Sequence, residues 1–190
     1  MPSSTDSPPP DEGGLQQAAL SYLARYAATE AGLRRVLIRQ VDRWAREQGD
    51  PEAAQAGMAN ARAAVEQVVA RLVQAGAVSD ATFAESRARS LGRSGQSARS
   101  AQVRLIAKGV APDMARKATE RDGDTELAAA LVVVRKRRIG AYRSLEAVDA
   151  VVRAKELGLL ARAGYAREIA EQALGMSREE AEARIFELRR

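Results

Sequence analysis

The sequence predicts an all-α protein in which a three-helix unit recurs along the chain, and three observations carry that expectation. The good helix formers Ala, Leu, Arg, Glu and Gln dominate, while Gly and Pro are not abundant outside the N-terminal region. Apolar residues recur at the i, i+3, i+4, i+7 spacing of one helix face, most clearly at Val65, Val68, Val69, Leu72 and Val73. When Gly109 is aligned with Gly164, Leu105 falls on Leu160, Val110 on Tyr165, Met114 on Ile169, Ala115 on Ala170 and Ala118 on Ala173. Each such unit is too small to bury its own apolar face, so a solenoid-like stack fits. Apolar residues make up 46% of the chain but aromatics only 4%, so the core is expected to be thin and rich in alanine, with helices close together.

Residues 1–14 are Ser, Pro, Gly and acids without periodicity, and are read as a disordered tail. The first unit spans 15–78. Leu15, Ala18, Ala19, Tyr22, Leu23 and Tyr26 share a helix face, Thr29 can cap a second helix through Leu33, Val36, Leu37 and Val41, and the valine stripe forms a third that stops at Gly76. Residues 42–62 read as an insertion or long helical connection, broken at Gly49-Asp50-Pro51.

The second unit spans 79–122. Ser79 or Asp80 starts a helix that carries Phe83, Ala84 and Ala88 inward; Ser97 caps the next, through Leu105 and Ile106; Pro112 opens the third at the position where its missing N–H does no harm. The third unit, 123–176, begins with a helix through Leu127, Leu131, Val132 and Val134. Its valines could favour a strand, but no second strand is available to pair with them. Ser144 is expected to cap a helix reaching Leu157, Leu159 and Leu160, and Ala166 to Leu174 forms a short helix with Ile169 inside. Ser177 and Glu180 have capping-box spacing and open a C-terminal helix over 177–190 through Ile185 and Leu188.

The chain has neither cysteine nor histidine. Disulfides and thiolate metal sites are therefore excluded, together with the commonest general base and transition-metal ligand. No phosphate-cradling glycine loop or nucleophile elbow is present, and Asp122-Gly123-Asp124 reads as a turn before a helix, without the further ligands of a calcium loop. No catalytic residue, metal site or cofactor is expected. No apolar run approaches bilayer length and the N-terminus lacks the features of a signal peptide, so a cytoplasmic protein without membrane association is the expectation.

Charge points to binding instead. The net charge is +5, and residues 84–143 hold fourteen Lys/Arg against six Asp/Glu. A local positive field suits a polyanion or an acidic protein surface, whereas a solvated helix face is the plainer reading of the same residues. Arg135-Lys136-Arg137-Arg138 closes a helix, where its dipole favours cations in any case; consecutive residues spread around the axis, so at most two can face one partner. Tyr142-Arg143 adds an aromatic and a cation nearby.

Several segments, taken in order, resemble the RecX regulatory family. These are Tyr22-Leu23-Ala24-Arg25, Thr29 with Leu33-Arg34-Arg35-Val36-Leu37, and Val68-Val69-Ala70-Arg71-Leu72 running into Gly76-Ala77-Val78-Ser79-Asp80 and Phe83-Ala84. Arg87, Arg89, Gly95-Gln96-Ser97, Leu105-Ile106-Ala107-Lys108-Gly109-Val110, Lys136-Arg137 and Leu159-Leu160-Ala161-Arg162-Ala163-Gly164-Tyr165 continue the resemblance, which covers about Leu15 to Leu174. It departs from the family pattern in the 42–62 insertion, the Pro-rich tail, and Ser79-Asp80 where paired aspartates are common.

The resemblance implies three tandem three-helix repeats in an elongated, curved helical stack. It also implies binding to the RecA recombinase filament and suppression of its ATP hydrolysis, strand exchange and co-protease activity, which would modulate recombination, DNA repair and the SOS response. A basic contact surface is implied, and charge selects Arg25, Arg34, Arg35 and Arg39 from the first unit, Arg87, Arg89, Arg104 and Lys108 from the second, and Lys136, Arg137, Arg138 and Arg143 from the third. A monomer with weak direct DNA contact is the accompanying expectation. Two other readings stay open: a sequence-independent nucleic-acid binder, and a helical adaptor for another protein.

Overall fold

The structure, a computed structural model, describes residues 7–144 and 149–190. Among them are ten α-helices, one short 3-10 turn and no strand, so the all-α expectation holds. Contacts divide the chain between Phe83 and Ala84 into two units.

The first unit contains α1 (Glu12–Leu23), α2 (Glu30–Glu47) and α3 (Pro51–Gln74), followed by the first turn of α4 (Asp80–Arg93). Its core is Leu15 and Ala19 of α1, Leu33, Leu37 and Val41 of α2, and Ala61, Val65, Val68, Val69 and Leu72 of α3, closed by Val78. Thr29 caps α2 as expected, accepting from Gly32 N at 2.9 Å. The helical pattern begins earlier than the sequence implies: Asp11 accepts from Gly14 N at 2.8 Å and α1 starts at Glu12, so residues 12–14 are helical and not part of a tail. The stretch expected as disordered otherwise comprises residues 1–6, which lie outside the described residues, and 7–11, which run extended or without regular structure. Tyr26 lies beyond α1 and is exposed, and Val73, the last of the predicted stripe, is also exposed. Residues 42–62 add no separate element: they lengthen the α2–α3 hairpin on both sides of the predicted break, with Asp50 and Pro51 opening α3.

The second unit contains the rest of α4, then α5 (Ala98–Ala107), α6 (Pro112–Thr119), α7 (Gly123–Arg137), a 3-10 turn (Gly140–Tyr142), α8 (Ala150–Arg162), α9 (Arg167–Gly175) and α10 (Arg178–Arg189). Leu127, Ala129, Ala130, Leu131, Val132 and Val134 make α7 the axis of its core, against Leu160, Tyr165, Ala170, Ala173, Leu174, Ala181 and Ile185. The valine run is therefore helical, because burial on nearly every side outweighs the modest helix propensity of Val. Ser177 and Glu180 form the predicted capping box. The cap of α8 is Asp149, which accepts from Val152 N at 2.7 Å, and not Ser144, which lies before residues 145–148 that are outside the described residues.

The Gly109 and Gly164 echo extends to the backbone. Both glycines have a left-handed φ, of 98° and 93°. Val110 N donates to Leu105 O and Gly109 N to Ile106 O; likewise Tyr165 N donates to Leu160 O and Gly164 N to Ala161 O. These paired bonds are the Schellman closure, which satisfies the last carbonyls of a helix. The same closure ends α3 at Gly76, α4 at Gly95 and α7 at Arg138, where a non-glycine residue takes φ 54°.

Candidate functional site

In the second unit, the C-terminal turn of α4, one face of α5, the end of α7 and the end of α8 enclose an open cleft of about 960 Å³. Arg99 and Arg104 reach it from α5, Lys136 and Arg137 from α7, and Arg162 from α8; among the described lining residues none is acidic. Val103, Val133 and Leu159 supply apolar surface between these cations. A concave wall lined by one sign of charge concentrates the field and attracts an anionic partner.

Short polar contacts fix the turns that shape the cleft. Ser97 caps α5 by accepting from Ser100 N at 3.1 Å and donates its hydroxyl proton to Ala163 O at 2.8 Å. Tyr165 Oη donates to Gly95 O at 3.1 Å, and burial pushes its phenol far above the usual range, so it stays a donor. Glu126 accepts from Ala98 N at 2.9 Å and pairs with Arg121, which itself donates to Gln96 O at 3.0 Å. The Arg121 and Glu126 side chains are largely buried, so this pair holds the α4–α5 turn against α7 from inside. Lys136 Nζ donates to Ser94 O at 2.7 Å.

No family model matches the chain. Individual relatives do. The regulatory protein RecX of Myxococcus xanthus (strain DK1622) is 38% identical over 162 residues, covering 84% of this chain and 83% of the relative. The regulatory protein RecX of Agrobacterium fabrum (strain C58) is 35% identical over 167 residues, covering 88% and 85%. The chain belongs to the RecX regulatory family. The crystal structure of RecX from Lactobacillus salivarius is similar in fold, with a TM-score of 0.63 over 91% of this chain and 97% of that one, at 15% identity.

Of the basic positions that the RecX resemblance and charge select, Arg104, Lys136 and Arg137 line the cleft. Arg87 and Arg89 are exposed on α4, Lys108 is exposed just after α5, and Arg138 occupies the left-handed end of α7. Arg143 has a different role: it is bound to the buried carboxylate of Glu156 at 2.5 Å, which also accepts from Gly140 N. In the first unit Arg34 is engaged by Glu30 at 2.7 Å and Glu66 at 2.9 Å, hydrogen bonds that raise its pKa. Arg25 donates to Ser21 O and lies over the Tyr26 ring, while Arg35 and Arg39 are exposed on α2.

Arg99 and Arg162 are not among those positions, although both line the cleft. The signal for Arg99 is local: with Ser97 as the cap, Arg99 and Val103 stand one turn apart on the same face of α5. Arg162 lies two residues before the left-handed Gly164, and only the packing of α8 near α5 and α7 brings it to the cleft.

Proposed function

We propose that this protein binds the RecA recombinase filament and inhibits its ATP hydrolysis, strand exchange and co-protease activity, and thereby modulates recombination and the DNA-damage response. Membership in the RecX family supports the regulatory role. The observation that carries the contact assignment is the cleft itself: Arg99, Arg104, Lys136, Arg137 and Arg162 converge without an acidic neighbour among its described lining. Such a surface recruits an acidic patch on a protein polymer. Each further contact to a neighbouring protomer is effectively intramolecular once the first has formed, so modest surfaces can restrain a large filament. The action needs no chemistry from this chain.

Titration into RecA assembled on single-stranded DNA, following ATP hydrolysis, tests the proposal. Hydrolysis falls as the protein approaches stoichiometry, and undiminished hydrolysis at molar excess overturns the reading. The double variant Lys136→Glu, Arg137→Glu is expected to inhibit about tenfold less well while its circular dichroism is unchanged.

The same cleft supports a second reading, direct contact with a nucleic-acid backbone, because phosphates are attracted by an unmixed positive lining. This reading predicts binding of the protein alone to single-stranded or duplex DNA, with log affinity falling steeply as log salt rises. Affinity that is flat in salt removes it.

A further inference from the structure

The lengthened α2–α3 hairpin carries a feature unrelated to the basic cleft. Trp44, the only tryptophan of the chain, stands on α2 three residues after the core residue Val41. Its ring lies against α3 at Gly57, where a Cβ would overlap the ring. Any larger residue at 57 would push the indole off, so glycine creates the seat. The indole N–H donates to Ser7 O at 2.8 Å. A Cβ on Gly57 would also lie 3.3 Å from Pro9 Cβ, which places Pro9 beside the same notch. Ser7-Pro8-Pro9-Pro10 therefore passes over the hairpin before Asp11 caps α1.

Three consecutive prolines favour the polyproline conformation before any contact forms, so little backbone freedom is lost on docking. An aromatic face with a hydrogen-bond donor aimed at a backbone carbonyl is how extended proline-rich segments are recognised. The carbonyl is what the indole reads, since a proline-rich segment has few N–H groups to offer.

We propose that Trp44 and Gly57 form a recognition notch for proline-rich extended segments, which the chain's own Ser7–Pro10 occupies and guards against a proline-rich segment of another protein. The tether gives the internal strap a local concentration in the millimolar range, which a competing segment must exceed. Release of the strap frees the indole N–H and the space beside Gly57, and the partner's prolines take the place of Pro9.

Trp44 is its own reporter. Removal of residues 1–10 leaves Asp11 and the α1 cap in place, and is expected to shift tryptophan emission to the red and increase acrylamide quenching about twofold. A full-length variant with Pro8, Pro9 and Pro10 replaced by serine should show the same direction of change. The synthetic peptide Ser-Pro-Pro-Pro-Asp-Glu, added to the shortened chain, should reverse the shift, and should bind the intact chain at least about tenfold more weakly. Gly57→Val, with helix content checked by circular dichroism, should abolish peptide binding. Unchanged emission in both strap variants, a peptide that leaves the shortened chain's emission unmoved, or equal affinity for intact and shortened chains each overturns the proposal.

Discussion

Glu126, in the first turn of α7, accepts the amide of Ala98, the first residue of α5. Asp80, the first residue of α4, does the same for Glu30, the first residue of α2, at 2.7 Å. In each case a carboxylate from a later helix satisfies an orphan N–H of an earlier one, beside that helix's own hydroxyl cap at Ser97 or Thr29. Ser79 is left to cap α4, accepting from Thr82 N, which resolves the alternative between Ser79 and Asp80. Replacing Glu126 by Gln removes the counter-charge of the buried Arg121 and weakens the cap. A loss of about 2–4 kcal/mol follows. Urea unfolding at neutral pH measures it; a midpoint within error of the parent would show that Arg121 is adequately held by Gln96 O and Ala88 O alone.

Arg143 should prove a structural residue. Its guanidinium holds Glu156, and Glu156 holds the amide of Gly140, so the turn after α7 is tied to α8 by one carboxylate. Arg143→Ala leaves that carboxylate buried and unpaired, at a cost of about 3–5 kcal/mol. The double variant Arg143→Met, Glu156→Leu should recover most of the loss, because no buried charge remains. Thermal unfolding of the two proteins separates these outcomes, and equal destabilisation would refute the pairing argument.

Arg138 is the sole non-glycine residue with positive φ among the described residues. It occupies the position that Gly76, Gly95, Gly109 and Gly164 hold in the other Schellman closures. The left-handed conformation costs an L-residue about 1–2 kcal/mol, partly offset by the extra freedom glycine has when unfolded. Arg138→Gly should raise stability by up to about 1 kcal/mol, and Arg138→Val should lower it. If the RecA inhibition proposed above falls while stability rises, the arginine acts through its side chain; a lower melting temperature for the glycine variant would contradict the backbone account.

Stability should decline in alkali. The Tyr142 phenol is pushed up to about 12, first by burial and then by its hydrogen bond to Glu182. The folded protein therefore holds this proton more tightly than the unfolded chain, whose phenol titrates near 10. Its contribution is full below about pH 10 and is lost as pH rises through about 12. Tyr142→Phe should flatten that part of the profile. Glu182 behaves oppositely: the Tyr142 hydroxyl, above all, lowers its pKa, so its contribution is present above the ordinary carboxylate range and lost in acid. Equilibrium unfolding between pH 8 and about 12 reads the first effect, and a Tyr142→Phe profile parallel to the parent's would refute it.

What the sequence made legible is local. Thr29, Ser97 and the Ser177–Glu180 box cap amides within three residues of themselves, and the stop glycines act through backbone geometry that glycine alone tolerates easily. These features need no knowledge of packing. The start of α8 is not legible, because Ser144 and Asp149 are both good caps and nothing local ranks one above the other. The cleft was half legible. Charge singles out Arg104, Lys136 and Arg137, but the same criterion takes in Arg143, whose partner lies thirteen residues further along the chain. Arg162 reaches the cleft only through the packing of different helices, which charge density along a chain does not encode.

The bond from Lys136 Nζ to Ser94 O has an entropic consequence. A lysine side chain free in water loses up to about 2 kcal/mol of rotamer freedom when a ligand immobilises it. Here a neutral carbonyl has already drawn the ammonium group across toward α4, and it holds the chain without cancelling the charge. Two ammonium protons remain to meet an anion. The cleft therefore presents a cation already positioned by a neutral group, and the ordering cost that weakens most lysine contacts is met when the chain folds.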